Sequence, residues 1–214
     1  MNLPLEEYLK PTPAIDCDTT SIKEKTQELT AGQERITEKV KSLFYFVRDE
    51  IKFDPYSPRY LPEHYRASAT LTRGGGYCVQ KAVILAALAR AAGIPTRLRF
   101  ANIRNHLQFA KLVERMGTNL FIYHGYDELY IDGRWIKAAP TFDLKMCQKD
   151  RIVPVEFDGT KDALHHSYSQ DGKPHIEYVC DHGHYQDVPF DEIEKARIQG
   201  YGAEIEQRMK YGLF

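Results

Sequence analysis

Cys78 and His124 are the two residues whose types and surroundings could do chemistry together. Cys78 stands in Arg73-Gly74-Gly75-Gly76-Tyr77-Cys78-Val79-Gln80-Lys81-Ala82, directly before an Ala- and Leu-rich run over 79–92 that contains no Gly or Pro. That run predicts a helix. Gly93 sits where a C-terminal glycine cap belongs, and Pro95 cannot continue the helix. Cys78 then falls at a helix N-terminus, where free amides and the positive dipole end favour a thiolate over a thiol. The glycines, lacking a Cβ, let backbone approach a substrate closely. A cysteine beside an apolar helix is commonly a small buried hydrophobe, so a nucleophilic reading needs a partner. A phosphate-binding loop is not supported, because the Lys-Ser or Lys-Thr that should close it is absent.

His124 is that partner. A nucleophilic thiol wants an imidazole within reach, which takes the thiol proton and later protonates a leaving amine. A third group should hold that imidazole in the correct tautomer. His124 precedes a predicted hairpin in which 126–131 and 134–139 flank Asp132-Gly133, the favoured two-residue turn pair.

Other elements must position this pair. Ile36, Val40, Leu43, Phe44, Val47 and Ile51 recur at helical spacing, predicting an amphipathic helix over 33–51. Thr30 and Gln33 fit a capping box at its start. A short helix is expected near 21–29, and a surface loop over 54–72 in which Tyr56, Tyr60 and His64 pack. Residues 96–103 alternate, with Leu98 and Phe100 on one face and Arg97 and Arg99 on the other, as in a half-buried strand. A short helix over 105–116, strands at 120–123, 152–157 and 175–180, a hairpin-like extension near 161–173 and a helix over 189–201 complete the expectation. Helices precede a mostly antiparallel sheet, which argues for an α+β fold. The chain is expected to form one domain over 1–214, with a core at about 33–143 and a C-terminal extension over 144–214.

Composition narrows the functional class. The 214 residues are 43% hydrophobic and 28% charged, with a formal net charge of −1. These values suit a soluble globular protein and give nucleic acid binding no electrostatic support. No run is apolar enough to cross a bilayer, and the first residues lack the basic start and apolar stretch of a signal peptide. Four cysteines without paired spacing suit a reducing cytoplasm. His165-His166 and His182-Gly183-His184 invite a metal reading, but adjacent strand residues face opposite sides and no Cys-x-x-Cys accompanies them. No metal or cofactor is expected. His182 and His184, which share a face in extended chain, are the better pair.

Three stretches together resemble the transglutaminase-like superfamily, which shares the papain-like cysteine hydrolase fold. Gly76-Tyr77-Cys78-Val79-Gln80-Lys81-Ala82, with its helix ending in Ala92-Gly93-Ile94-Pro95-Thr96-Arg97, is similar to the family's glycine-x-Cys block and its "GIPaR" ending. His124-Gly-Tyr-Asp-Glu-Leu-Tyr-Ile-Asp-Gly-Arg-Trp135 resembles "HaWvEvyldGkW", and 40–54 resembles the preceding helix. The resemblance spans roughly residues 33–143 and implies Cys78 as nucleophile and His124 as base. Gly76, Tyr77 and Tyr126 are expected around the oxyanion and substrate. One position departs from the pattern: the Asp of the family's "W-x-x-x-D-P-T" is replaced by Ala139, which cannot orient an imidazole. Asp143 is the nearest carboxylate and the expected substitute, with Thr141 or a backbone carbonyl as alternatives. The resemblance implies a stand-alone, microbial-type core acting on a peptide or glutamine-type amide through a Cys78 thioester. The missing Asp also admits a catalytically degraded module that only binds peptide.

Overall fold

The computed structural model describes residues 4–107, 109–211 and 213. Its elements run α1 (Thr20–Thr30), α2 (Ile36–Asp49), β1 (Lys52–Phe53), α3 (Ala67–Arg73), β2 (Gly75–Gly76), α4 (Cys78–Ala91), β3 (Thr96–Asn105), α5 (Ala110–Met116), β4 (Leu120–Ile131), β5 (Arg134–Ala138), α6 (Leu144–Asp150), β6 (Ile176–Tyr185), α7 (Phe190–Tyr201) and α8 (Ala203–Lys210). The main sheet is antiparallel in the order β5-β4-β3-β6. The expected α+β architecture is therefore the one observed.

At the centre lies α4, buried along its length from Val79 to Arg90. A helix apolar all round must be enclosed, and its two long cations are absorbed without reaching solvent. Lys81 Nζ donates to the carbonyls of Arg48 and Ile51, at 2.9 and 2.6 Å. Those carbonyls lie at the end of α2, where they have no acceptor role inside the helix. Arg90 donates to the carbonyls of Thr96, Lys10 and Gln186. On one side α4 meets α2 through Val40, Leu43, Phe44 and Val47; on the other it meets Leu98 and Phe100 of β3. The alternation expected of β3 holds: Arg97 and Arg99 face the other way and both donate to Glu128, at 2.6 and 2.8 Å.

Several expectations are revised. Thr30 does not open the second helix. It ends α1, its hydroxyl donating to the Thr26 carbonyl, and α2 begins after Arg35 without a side-chain cap. The 54–72 stretch is not all loop, since Pro62–Tyr65 forms a 3₁₀ turn and α3 follows. Residues 120–131 form one strand, interrupted in conformation only at Tyr123, where φ is +56°. No strand forms over 152–157: the Val155 carbonyl accepts from Arg48 and the Phe157 N–H donates to Tyr45 Oη, so its backbone is satisfied by side chains of α2. The extension near 161–173 keeps only isolated bridges, Ala138 with Ala163 and Tyr168 with Pro174. No helix is long and apolar enough to cross a membrane among the described residues.

Candidate active site

Cys78 is the first residue of α4, and its position is fixed by the residue two places on. Gln80 Oε1 accepts the Tyr77 N–H at 3.1 Å, while Gln80 Nε2 donates to the carbonyls of Pro58 and His64, both at 2.9 Å. One buried amide thus ties the helix start to the preceding loop. Gln at the third helical position is a capping signal, so Gln80 could have been found in the sequence, but its second role depends on tertiary contacts.

Gly74 ends α3 in the left-handed conformation, at φ +68°, and the next two glycines pack against neighbouring elements. Gly75 and Gly76 pair in parallel with Lys52 and Phe53. A Cβ on Gly76 would lie 2.9 Å from Gln80 Cβ and 3.0 Å from Thr70 Cγ2. Gly76 is a buried spacer and is not among the residues lining the cleft described below.

His124 comes from β4 beside a bulge. The β3–β4 register shifts between Ala101 and Ile103. Asn102 Oδ1 holds this irregularity, accepting the Tyr123 N–H at 3.1 Å and meeting His182 Nε2 at 2.8 Å, with the His182 ring stacked on Tyr123 at 4.1 Å. Bulges re-aim side chains next to functional sites. His182 therefore braces the strand that carries His124. His184 packs against Tyr8. No cluster of three or more His, Cys, Asp or Glu arranged to hold a metal occurs among the described residues.

Cys78 and His124 line one cleft, with an empty volume of about 580 Å³ that is partly open to solvent. Next to His124 in the chain, Gly125 makes the close approach between strand and helix: a Cβ there would lie 3.0 Å from Val79 Cα and 3.3 Å from Phe100 Cε1. Tyr77 lines the cleft, its hydroxyl donating to Tyr65 Oη at 3.0 Å, whereas Tyr126 lies behind His124, away from the cleft wall.

The electrostatics revise the expectation of a resting thiolate. Burial pushes the Cys78 thiol up; the Gly125 N–H, the guanidiniums of Arg197 and Arg59 and the Val79 N–H pull it down without cancelling that effect. Burial alone pushes His124 down to about 3. Desolvation outweighs the helix dipole and the two guanidiniums here, because the charged forms would have to leave water. Both shifts favour the neutral thiol and the neutral imidazole.

The orienting group is where sequence and structure part. Asp143 caps α6, Oδ1 accepting the Met146 N–H at 2.9 Å and Oδ2 accepting the Phe53 N–H at 3.4 Å. It does not line the cleft, and its carboxylate is engaged by backbone donors rather than by His124. Ala139 is fully buried with Ala101 and Tyr126, against Leu164 and Tyr178. His124 Nε2 is buried and has no hydrogen-bond partner. Two further unpartnered atoms lie in the neighbouring residues, Thr141 Oγ1 in the cleft and Nε2 of His165, whose ring is 5.3 Å from that of His124. The His124 ring is packed instead against Tyr126, Tyr178 and His165.

The C-terminal segment both extends the sheet and completes the cleft. β6 pairs with β3, and α7 supplies Arg197 and Tyr201 to the cleft wall. Tyr201 Oη accepts the Ile122 N–H at 2.6 Å, and Arg197 Nε donates to the Ile122 carbonyl at 3.3 Å.

Comparison with known proteins bears on the family and the fold. The model of the transglutaminase-like superfamily matches residues 23–140. No curated protein shows significant similarity. Among solved structures, a "putative cysteine protease" from Cytophaga hutchinsonii superposes with a TM-score of 0.52 at 16% identity, over 86% of this chain and 55% of that one. A "putative protease" from Parabacteroides distasonis gives a TM-score of 0.41 at 18% identity, over 63% of this chain and 25% of that one. The chain thus spans about half the length of the first and a quarter of the second. With its cysteine-bearing helix laid on an antiparallel sheet and the family model covering more than half of its residues, the chain belongs to the transglutaminase-like superfamily.

Proposed function

We propose that the protein is a cysteine-dependent acyl-transfer enzyme that hydrolyses a peptide or glutamine-type amide. The observation that carries this reading is the meeting of Cys78, at the start of α4, and His124, on β4, in one cleft. Cys78 Sγ attacks the amide carbonyl carbon while His124 accepts the thiol proton, so that no separated ion pair need form beforehand. The Cys78 N–H, free of intrahelical bonding at the helix start, points to the developing oxyanion. His124 then passes its proton to the leaving amine and a thioester remains. Water, deprotonated by His124, attacks the thioester and restores the thiol.

A second reading is a peptide-binding module descended from such an enzyme. It is favoured by one observation, the His124 Nε2 left without an orienting partner. Release of amine from a panel of peptide and glutamine amides separates the two. The enzymatic reading expects turnover that disappears in Cys78→Ala and falls by two or more orders of magnitude in His124→Ala, as is usual for loss of a general base. Saturable peptide binding without turnover in the unmodified protein would favour the module.

A further inference from the structure

Among the described residues, two buried guanidiniums in the Cys78 cleft have a single carboxylate partner between them. Arg59 is 6% exposed and Arg197 is 5% exposed, and both line the cleft. They lie over the ring of Tyr77, the residue before the nucleophile, at 4.9 and 5.6 Å. Among the described residues no carboxylate pairs with Arg59; its NH1 group makes a 3.5 Å contact to the Pro55 carbonyl, and its Nε has no partner. Arg197 is faced by one carboxylate, Glu206, at 3.9 Å. Two cations therefore share one buried anion, and an unpaired buried charge is strongly unfavourable. The Cys78 sulfur does not balance them at rest, since burial keeps it a thiol.

The rest of the cleft wall is different in kind. Phe53, Phe109, Phe121 and Phe142 interlock, with Phe53 5.5 Å from Phe109 and 5.3 Å from Phe142, and Phe109 6.2 Å from Phe121. One surface is aromatic and the other cationic, with the nucleophile and base in the same cleft.

We propose that Arg59 and Arg197 form a carboxylate-binding subsite, so that the amide cleaved carries an anionic group close to an apolar one. The inference rests on Cys78 being the nucleophile and names the substrate class that nucleophile meets. A guanidinium fork suits a carboxylate in two parallel hydrogen bonds. The carboxylate could belong to an acidic side chain or to a chain terminus.

The test compares alkylation of Cys78 by iodoacetate and by iodoacetamide, reagents that differ in a carboxylate. The expected iodoacetate-to-iodoacetamide rate ratio at Cys78 exceeds that of glutathione about tenfold, and falls about tenfold in Arg59→Gln, as loss of one charge-assisted hydrogen bond implies. A ratio equal in the variant and the unmodified protein, with Cys78 still reactive, overturns the subsite alone. Inertness of Cys78 to both reagents instead overturns the nucleophile and this inference with it. A second measurement needs no variant. N-acetylphenylalanine should slow iodoacetamide labelling of the unmodified protein where its carboxamide does not, if the carboxylate is terminal. N-acetylglutamic acid α-amide should do so if it belongs to a side chain. Equal protection by charged and uncharged compounds, or none by any, refutes the proposal.

Discussion

An aspartate at position 139 should charge the His124 imidazole. Burial without a partner takes His124 from an ordinary imidazole value near 6.5 down to about 3, a penalty on the imidazolium of about 5 kcal/mol at 1.36 kcal/mol per pH unit. Ala139 is fully buried among Ala101, Tyr126 and Tyr178. Ala101 is the cross-strand partner of His124, and both tyrosine rings are its neighbours. An Asp carboxylate there, if it comes within about 4 Å of the ring at an effective dielectric of about 20, contributes roughly 4 kcal/mol to the imidazolium. Part of that is lost in burying the carboxylate itself, and the rest offsets part of the penalty on the ring. In Ala139→Asp, the His124 ring resonances should titrate well above pH 3, toward the ordinary imidazole range. Iodoacetamide labelling of Cys78 at pH 6 should accelerate at least about tenfold, because a protonated base stabilises the thiolate. Ala139→Asn supplies the same bulk without the charge and should do neither. If Ala139→Asp folds with both titration and labelling unchanged, the unpartnered Nε2 does not face position 139 and the reasoning fails.

Other perturbations follow from the same geometry. Cys78 labelling in the unmodified protein should climb with pH beyond the ~8.5 of a free thiol, because burial raises the thiol; a plateau beginning near pH 4 would show a resting ion pair instead. Gly125→Ala should destabilise the fold by about 1–3 kcal/mol in denaturant titration, since its Cβ meets Val79 Cα at 3.0 Å, and should change Cys78 labelling by pushing α4 off β4. Asp127 is fully buried with both carboxylate oxygens unpartnered, and burial raises it well above the carboxylate range. Its unfolded form deprotonates first, so the stability it contributes is present below about pH 4 and is lost as pH rises through the folded value. Asp127→Val should remove that pH dependence and stabilise by about 1–3 kcal/mol at pH 7; unchanged stability across pH would refute the neutral-acid assignment.

The parts of the fold legible in the sequence are those set by local rules. The end of α4 follows from Gly93 and Pro95, β3 shows its two faces, and the β4–β5 turn is written in Asp132-Gly133. What escaped is set by distant partners. α3 has few apolar residues, but its start is fixed when the Ala67 N–H donates to the Ala14 carbonyl and the Ser68 N–H to Asp16. Residues 152–157 carry a strand-like composition, yet Arg48 and Tyr45 take up their backbone groups before a neighbouring strand can. In the site, Cys78 and His124 could be singled out because the proposed roles need particular residue types, and both line the cleft. Asp143 could not be excluded from sequence, because a carboxylate that caps a helix and one that orients an imidazole look alike until the strand direction is known. Arg59 gave no signal, and Arg197 gave only its place at helical spacing with Phe190 and Ile193: an arginine in a loop or on an amphipathic helix normally reaches solvent.

The measurement that tests the central claim most directly is an acid-quenched reaction with 4-nitrophenyl acetate, followed by intact mass and peptide mapping. The account predicts a stoichiometric burst of nitrophenolate and an acetyl adduct on Cys78 that hydroxylamine removes, as a thioester requires. The adduct should be absent in Cys78→Ala and form far more slowly in His124→Ala. An unchanged burst in Cys78→Ala, or an adduct confined to another residue, would contradict the assignment of Cys78 as the nucleophile.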